Sequence, residues 1–145
     1  TKGRYGLEAL LDMALHTDEA PIKISSIAQR QGISEKYLEQ IFSTLKNSDI
    51  VKSVRGAQGG YLLARPAHQI TVRHILTALE GPLSPVACAS MGRDAACGRF
   101  DFCVTRTFWD DMAEALNQTT EAIALSDLLE CLKEENNNNH LDFSI

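Results

Sequence analysis

The stretch from Ile24 to Pro66 restricts the fold more than any other part of the chain. Ile24, Ile27 and Ala28 lie at helical spacing, and Gly32 stops the short helix they define over Ile24–Gln31. Ser34 opens the next helix: its side chain can cap the backbone donors of Glu35–Tyr37. Tyr37, Leu38, Ile41, Phe42 and Leu45 then form a buried stripe. Two short helices joined by a glycine-containing turn, the second with a good N-cap, make a helix-turn-helix pattern. In IVKSVRGAQGGYLLARP, Ile50, Val51 and Val54 precede the turn glycines Gly56, Gly59 and Gly60, and Tyr61, Leu62 and Leu63 follow. That is a β-hairpin directly behind a helix-turn-helix, hence a wing. The expected fold class is mainly α with a small β-hairpin wing.

The flanks extend this unit. Tyr5, Leu7, Leu10, Leu11, Ala14 and Leu15 predict an amphipathic helix through about His16, followed by a loop with Pro21. After Pro66, Val72, Ile75, Leu76 and Leu79 predict a helix ending at Gly81-Pro82. Residues 82–103 show no periodicity and hold three of the four cysteines. From about Val104 a long helix is expected, with Phe108, Met112, Ala115, Leu116 and Ile123 on one side. Ser126 or Asp127 caps a last helix through Leu128, Leu129 and Leu132, and the polar tail NNNNHLDFSI is expected to be frayed or disordered. The chain therefore divides into a winged helix-turn-helix head (1–81), a cysteine loop (82–103), helices over 104–135 and a polar tail (136–145), with no internal repeat.

A chain of 145 residues buries enough surface to fold without disulfides. No apolar run approaches the ~20 residues that span a bilayer, and TKGRYGLEAL lacks a signal-peptide core. The expected location is cytoplasmic, with no membrane partner. There, cysteines serve as ligands, redox groups or core thiols.

The net charge of −5 is unevenly spread. Residues 1–80 carry ten Lys and Arg against eight Asp and Glu, whereas 81–145 carry four against eleven. Within 21–65 the balance is seven against three. Such a cationic segment suits one face turned to phosphates, and double-stranded DNA is the expected partner. The first turns of a recognition helix reach base edges in the major groove; here they expose Ser34, Glu35, Lys36, Glu39 and Gln40. Gln reads adenine, Glu accepts from cytosine, and Lys binds guanine or phosphate. Arg55, just before the glycine-rich tip, suits a minor groove, whereas Lys52, Arg65, Lys2 and Arg4 suit phosphate contacts. Without the wing, a solvated face would be the better reading of these residues. No nucleophile–base pair, phosphate loop or paired-carboxylate motif marks an enzyme. The Gly56–Gly60 run lies in a hairpin rather than at a helix start.

Cys88, Cys97 and Cys103 lie with eight and five residues between them, among small residues that let a loop wrap a metal centre closely. Composition alone leaves three readings open: an iron–sulfur cluster, a zinc site, or unligated cysteines. Cys131, amid Leu128, Leu129 and Leu132, reads as a buried core thiol. His68, His74 and His140 lack partners at metal spacing, and Trp109 reads as interface core.

The pieces KGRY, ISEKYLEQIF and SVRGAQGGYLL resemble regulators of the IscR, NsrR and CymR type, the Rrf-two family, over residues 1 to about 132. The resemblance implies a winged-helix homodimer whose long C-terminal helices pack on the partner and on the partner's head. It also implies a transcription regulator, most often a repressor on a palindromic operator, with a possible protein partner. By position, Tyr37, Glu39 and Gln40 match recognition-helix residues and Arg55 the wing arginine. Cys88, Cys97 and Cys103 match, in order, the cysteines of cluster-binding members. Two positions depart from that pattern: the first gap is longer, and Arg106 stands where IscR-like members have histidine. The fourth ligand is left open, with Glu8 of the other subunit as first candidate and His16, Asp101 or a small molecule as alternatives. Without the histidine, 4Fe–4S is favoured over 2Fe–2S. The family's alternative is a metal-free, CymR-like sensor of thiol oxidation or of a partner protein.

Overall fold

The computed structural model describes residues 1–17, 20–91 and 98–143. Helices α1 (Lys2–His16), α2 (Ile24–Gln31) and α3 (Glu35–Asn47) precede a hairpin of β1 (Val51–Val54) and β2 (Gly60–Leu63). Helix α4 (Val72–Glu80), the short α5 (Ala87–Met91), α6 (Arg106–Glu121) and α7 (Leu125–Phe143) follow. Leu10 and Met13 of α1, Ile27 of α2, Leu38, Ile41, Phe42 and Leu45 of α3, and Ile75 of α4 form one fully buried core. Each such side chain contributes about 1.5–3 kcal/mol through burial.

The turn between α2 and α3 follows from two residues. Gly32 takes the left-handed conformation (φ 65°) and returns its N–H to the Ala28 carbonyl, and Ser34 Oγ accepts the Tyr37 N–H at 3.3 Å. Both match the expected stop and cap.

Helix α1 is fixed from two sides. Gly3 and Gly6 are buried against α4, where a Cβ at Gly6 would collide with Leu79 and one at Gly3 would lie 2.9 Å from Leu76 Cδ2. These glycines let two helices approach more closely than alanine would permit. On the other side, the carboxylate of Asp12, only 4% exposed, is gripped by Arg30 of α2. Arg30 Nη2 and Nε reach Oδ1 at 2.6 and 3.0 Å, Nε reaches Oδ2 at 3.1 Å, and Gln31 Nε2 donates to Oδ2 at 2.8 Å.

The wing pairs antiparallel, with Val51 opposite Leu63 and Val54 opposite Gly60. Ile22 adds a third edge through two backbone hydrogen bonds with Tyr61, at 2.8 and 2.9 Å. A Cβ on Gly60 would press into the Ile22 backbone, so this glycine serves a close approach as well as the turn.

Four features differ from the sequence-based expectation. The 82–103 segment contains α5 and a 3₁₀ turn, Phe100–Phe102, rather than loop alone. Helix α6 stops at Glu121, so Ile123 leaves its face. The Ile123 carbonyl accepts the Val72 N–H, and the Leu125 N–H donates to the Ile70 carbonyl, both at 2.8 Å. Helix α7 begins at Leu125, where Asp127 Oδ2 accepts the Ala124 N–H at 2.9 Å, and it continues to Phe143 through the segment expected to fray. Finally, Cys131 is exposed, not buried. At 100° per residue it points about 110° away from the centre of the stripe formed by Leu125, Leu128, Leu129 and Leu132.

Candidate functional site

The candidate surface for nucleic acid is displayed by the α2–turn–α3 unit and the hairpin. At the start of α3, Ser34, Glu35, Lys36, Glu39 and Gln40 are all exposed, while Leu38, Ile41 and Phe42 face the core. The four α3 side chains lie on one side because residues three and four apart share a helix face. Tyr37 is half-buried and meets Tyr5 of α1 edge-on, with centroids 5.9 Å apart. The Arg4 guanidinium in turn lies 5.9 Å from the Tyr5 ring centroid, so Arg4, Tyr5 and Tyr37 link the start of α1 to α3.

At the wing, Arg55, Gly56, Ala57 and Gln58 are exposed at the tip, and Lys52 is exposed on β1. Lys2 and Arg4 are exposed at the other edge of the head. Arg65 stands apart: it follows β2 at the foot of the hairpin and is half-buried in a cleft against α4. Arg30 contributes to the positive count of residues 21–65 but spends its charge on Asp12, so the usable surplus is smaller than composition suggests. An acid between Ala9 and Met13, inside an apolar stripe, is the signal by which the clamp could have been found.

Of the three candidate metal cysteines, Cys97 lies outside the described residues. Cys88 is half-buried on α5, which packs against α6, and Cys103 is half-buried just before α6. Cys103 Sγ lies 3.3 Å from Thr105 Oγ1. That hydroxyl first, then the backbone amides of Thr105 and Arg106 and the Arg106 charge, hold the thiol below its usual range. A helix entrance and a nearby guanidinium both favour thiolate. Among the described residues no group of three or more His, Cys, Asp or Glu stands ready to hold a metal. The donor chemistry at Cys88 and Cys103 nonetheless fits a thiolate-bound cluster. Glu8 is ion-paired with Arg4 at 3.3 Å, and His16 Nδ1 lies 2.8 Å from the Asp12 carbonyl.

A helix-turn-helix with its second-helix entrance exposed, a wing and a helical arm define a winged-helix DNA-binding regulator. A family model, Rrf2, described as an iron-dependent transcriptional regulator, matches residues 1–131. The chain is 41% identical over 129 residues to the HTH-type transcriptional regulator IscR of Serratia proteamaculans, covering 89% of this chain and 77% of that one. It is 42% identical to Protein rrf2 of Nitratidesulfovibrio vulgaris over 129 residues, covering 89% and 85%. Among solved structures, IscR of T. potens matches with a TM-score of 0.75 at 41% identity, covering 93% and 88% of the two chains. CymR, the global cysteine regulator of B. subtilis, matches with a TM-score of 0.70 at 36% identity, covering 90% and 94%. The chain belongs to the Rrf2 family of transcriptional regulators, and its named relatives are regulators rather than enzymes. Among the described residues no helix is long and apolar enough to cross a membrane.

Proposed function

We propose that the protein is a cytoplasmic homodimeric repressor whose grip on a palindromic operator is set by an iron–sulfur cluster on Cys88, Cys97 and Cys103. One observation carries this reading. Cys103 sits at the entrance of α6, and just past the far end of that helix Ile123 and Leu125 are hydrogen-bonded to the head at Val72 and Ile70. A change at the cysteines therefore has a rigid element, 16 residues long, through which to alter the seating of the head. Signal and DNA are then coupled by the differing stability of two head arrangements.

In this reading Ser34, Lys36, Tyr37, Glu39 and Gln40 meet the major groove, and Arg55 the adjacent minor groove. Lys52, Lys2 and Arg4 take phosphates. The second subunit covers the exposed apolar side of α6. Glu8 of that subunit is the first candidate for fourth ligand, and 4Fe–4S is favoured because Arg106 supplies no imidazole. Such a cluster, when bound, supplies a centre that oxidants, nitric oxide or iron scarcity can alter. The chain's own contribution is thiolate at Cys103, favoured by Thr105 and Arg106.

The test is anaerobic reconstitution followed by promoter binding with and without the cluster. Cluster-dependent affinity or sequence preference supports the switch; identical values contradict it while leaving the regulator intact. A second reading, a metal-free thiol or partner-protein sensor, is favoured by Arg106 and by the similarity to CymR. Iron and sulfide counts, with a visible band near ~400 nm, separate the two.

A further inference from the structure

A cleft of about 630 Å³ opens at the foot of the wing, away from the recognition helix entrance and the cysteines. The C-terminal end of α3, the base of the hairpin, α4 and the last turn of α6 meet there, and Ser48, Arg65, Arg73, His74, Thr77 and Glu121 supply its polar lining. The pairing among these groups is incomplete. Arg73 Nη1 lies 3.6 Å from Glu121 Oε2. His74 Nδ1 accepts the Thr71 N–H at 3.3 Å within a capping box. A neutral His74 therefore carries its proton on Nε2, which donates to no described residue. Arg65 is the unmatched group: its Nε is sealed from solvent without a hydrogen-bond partner, and the guanidinium makes no ion pair among the described residues. Folded proteins rarely leave a buried donor unpaired, because desolvation is then uncompensated.

We propose that this cleft binds a small molecule bearing a carboxylate, and that Arg65 receives the carboxylate. Three features of the cleft fit that chemistry. Arg65 and Arg73 against Glu121 leave one cationic side chain in excess in the lining, which a carboxylate balances. The planar guanidinium fork matches a carboxylate with two parallel hydrogen bonds. The volume falls within the roughly 300–1,000 Å³ of small-molecule sites.

Two other acceptors fit less well. Ser48 lies about 20 Å along α3 from Ser34, and the length of β2 separates Arg65 from the wing tip, so the cleft is remote from the proposed DNA face. A second subunit seated on Phe108, Met112 and Leu116 would approach α6 about 140–180° around from Glu121, on the side away from the cleft.

The test titrates the purified protein with sodium acetate, propionate and succinate, and separately with inorganic phosphate, at constant ionic strength. The readouts are the arginine Nε–H resonances and the Ser48 and Thr77 amides in ¹⁵N NMR spectra. A saturable shift of the Arg65 Nε–H with at least one carboxylate, and none with phosphate over the same range, is expected. Arg65→Met should weaken that binding about tenfold or more, while Glu121→Gln, which adds net positive charge, should tighten it about threefold. Absence of a saturable shift with every carboxylate overturns the proposal, as does equal binding by Arg65→Met. Loss of DNA affinity in Arg65→Met with no carboxylate response would assign the arginine to the DNA backbone instead.

Discussion

The head and the arm solve the problem of apolar surface in opposite ways. The head core is closed: Leu10, Ile27, Leu38, Phe42 and Ile75 are wholly buried, Leu125 of α7 joins them, and Asp12 is satisfied inside. Helix α6 buries only Ala113 and leaves Phe108, Met112 and Leu116 56%, 39% and 44% exposed along one side. An apolar helix face left open in this way marks a surface that another element completes. Charge divides along the same line, with the cationic surplus in the head and the acidic excess beyond it. The lesson is a division of labour: a unit with a closed core displays α3 and the wing, and an incomplete one is available for assembly.

The sharpest way to break this contrast is to spoil the head from within. Asp12→Ala leaves Arg30, itself 35% exposed, and Gln31 without their buried acceptor and should lower unfolding free energy by about 2–3 kcal/mol in urea. A loss no larger than that of an exposed substitution would mean the clamp is not structural. Next in size, Met112→Glu places a charge on the open face of α6. It should weaken self-association roughly a hundredfold in sedimentation equilibrium, with the head's thermal transition retained. An unchanged association constant would move the dimer face elsewhere. Gly6→Ala should lower head stability by about 1–3 kcal/mol, because a methyl group meets Leu79 in the α1–α4 contact.

The smallest effect concerns acid. The Gly3 N–H donates to Glu80 Oε1 at 2.6 Å and, as the largest cause, holds that carboxyl below its usual range. The folded state then binds its proton less readily than the unfolded chain does. Its contribution is present above the unfolded pKa and is lost as pH falls through the folded one. Glu80→Gln should accordingly make the melting temperature slightly less steep in pH below about 5, as thermal scans at several pH values would show.

How much of this was legible in the chain depended on sequence distance. Gly32, Ser34 and the stripe from Leu38 to Leu45 act locally, so the helix-turn-helix could be read with its boundaries. The wing was equally plain, although Gly60's second task against Ile22 was not, because that partner lies 38 residues earlier. Asp12 and Arg30, 18 residues apart, could not be paired before the α1–α2 packing was known. Cys131 was misplaced because three neighbouring leucines suggest burial while the helical angle turns the thiol outward. The extension of α7 was missed because propensity disfavours an asparagine run, whereas a helix already nucleated at Leu125 propagates at little cost. Of the candidate site residues, the α3 set and Arg55 are displayed on the surface, Arg65 is withdrawn into its cleft, and Cys97 lies outside the described residues.

The central claim is that the head reads DNA through α3 and the wing. It is tested most directly by fluorescence anisotropy with a duplex selected from a random library, comparing the wild type with Arg55→Ala. Arg55→Ala should bind about tenfold or more weakly while its thermal transition and self-association stay unchanged. Equal affinity of the two proteins for the selected duplex would contradict it.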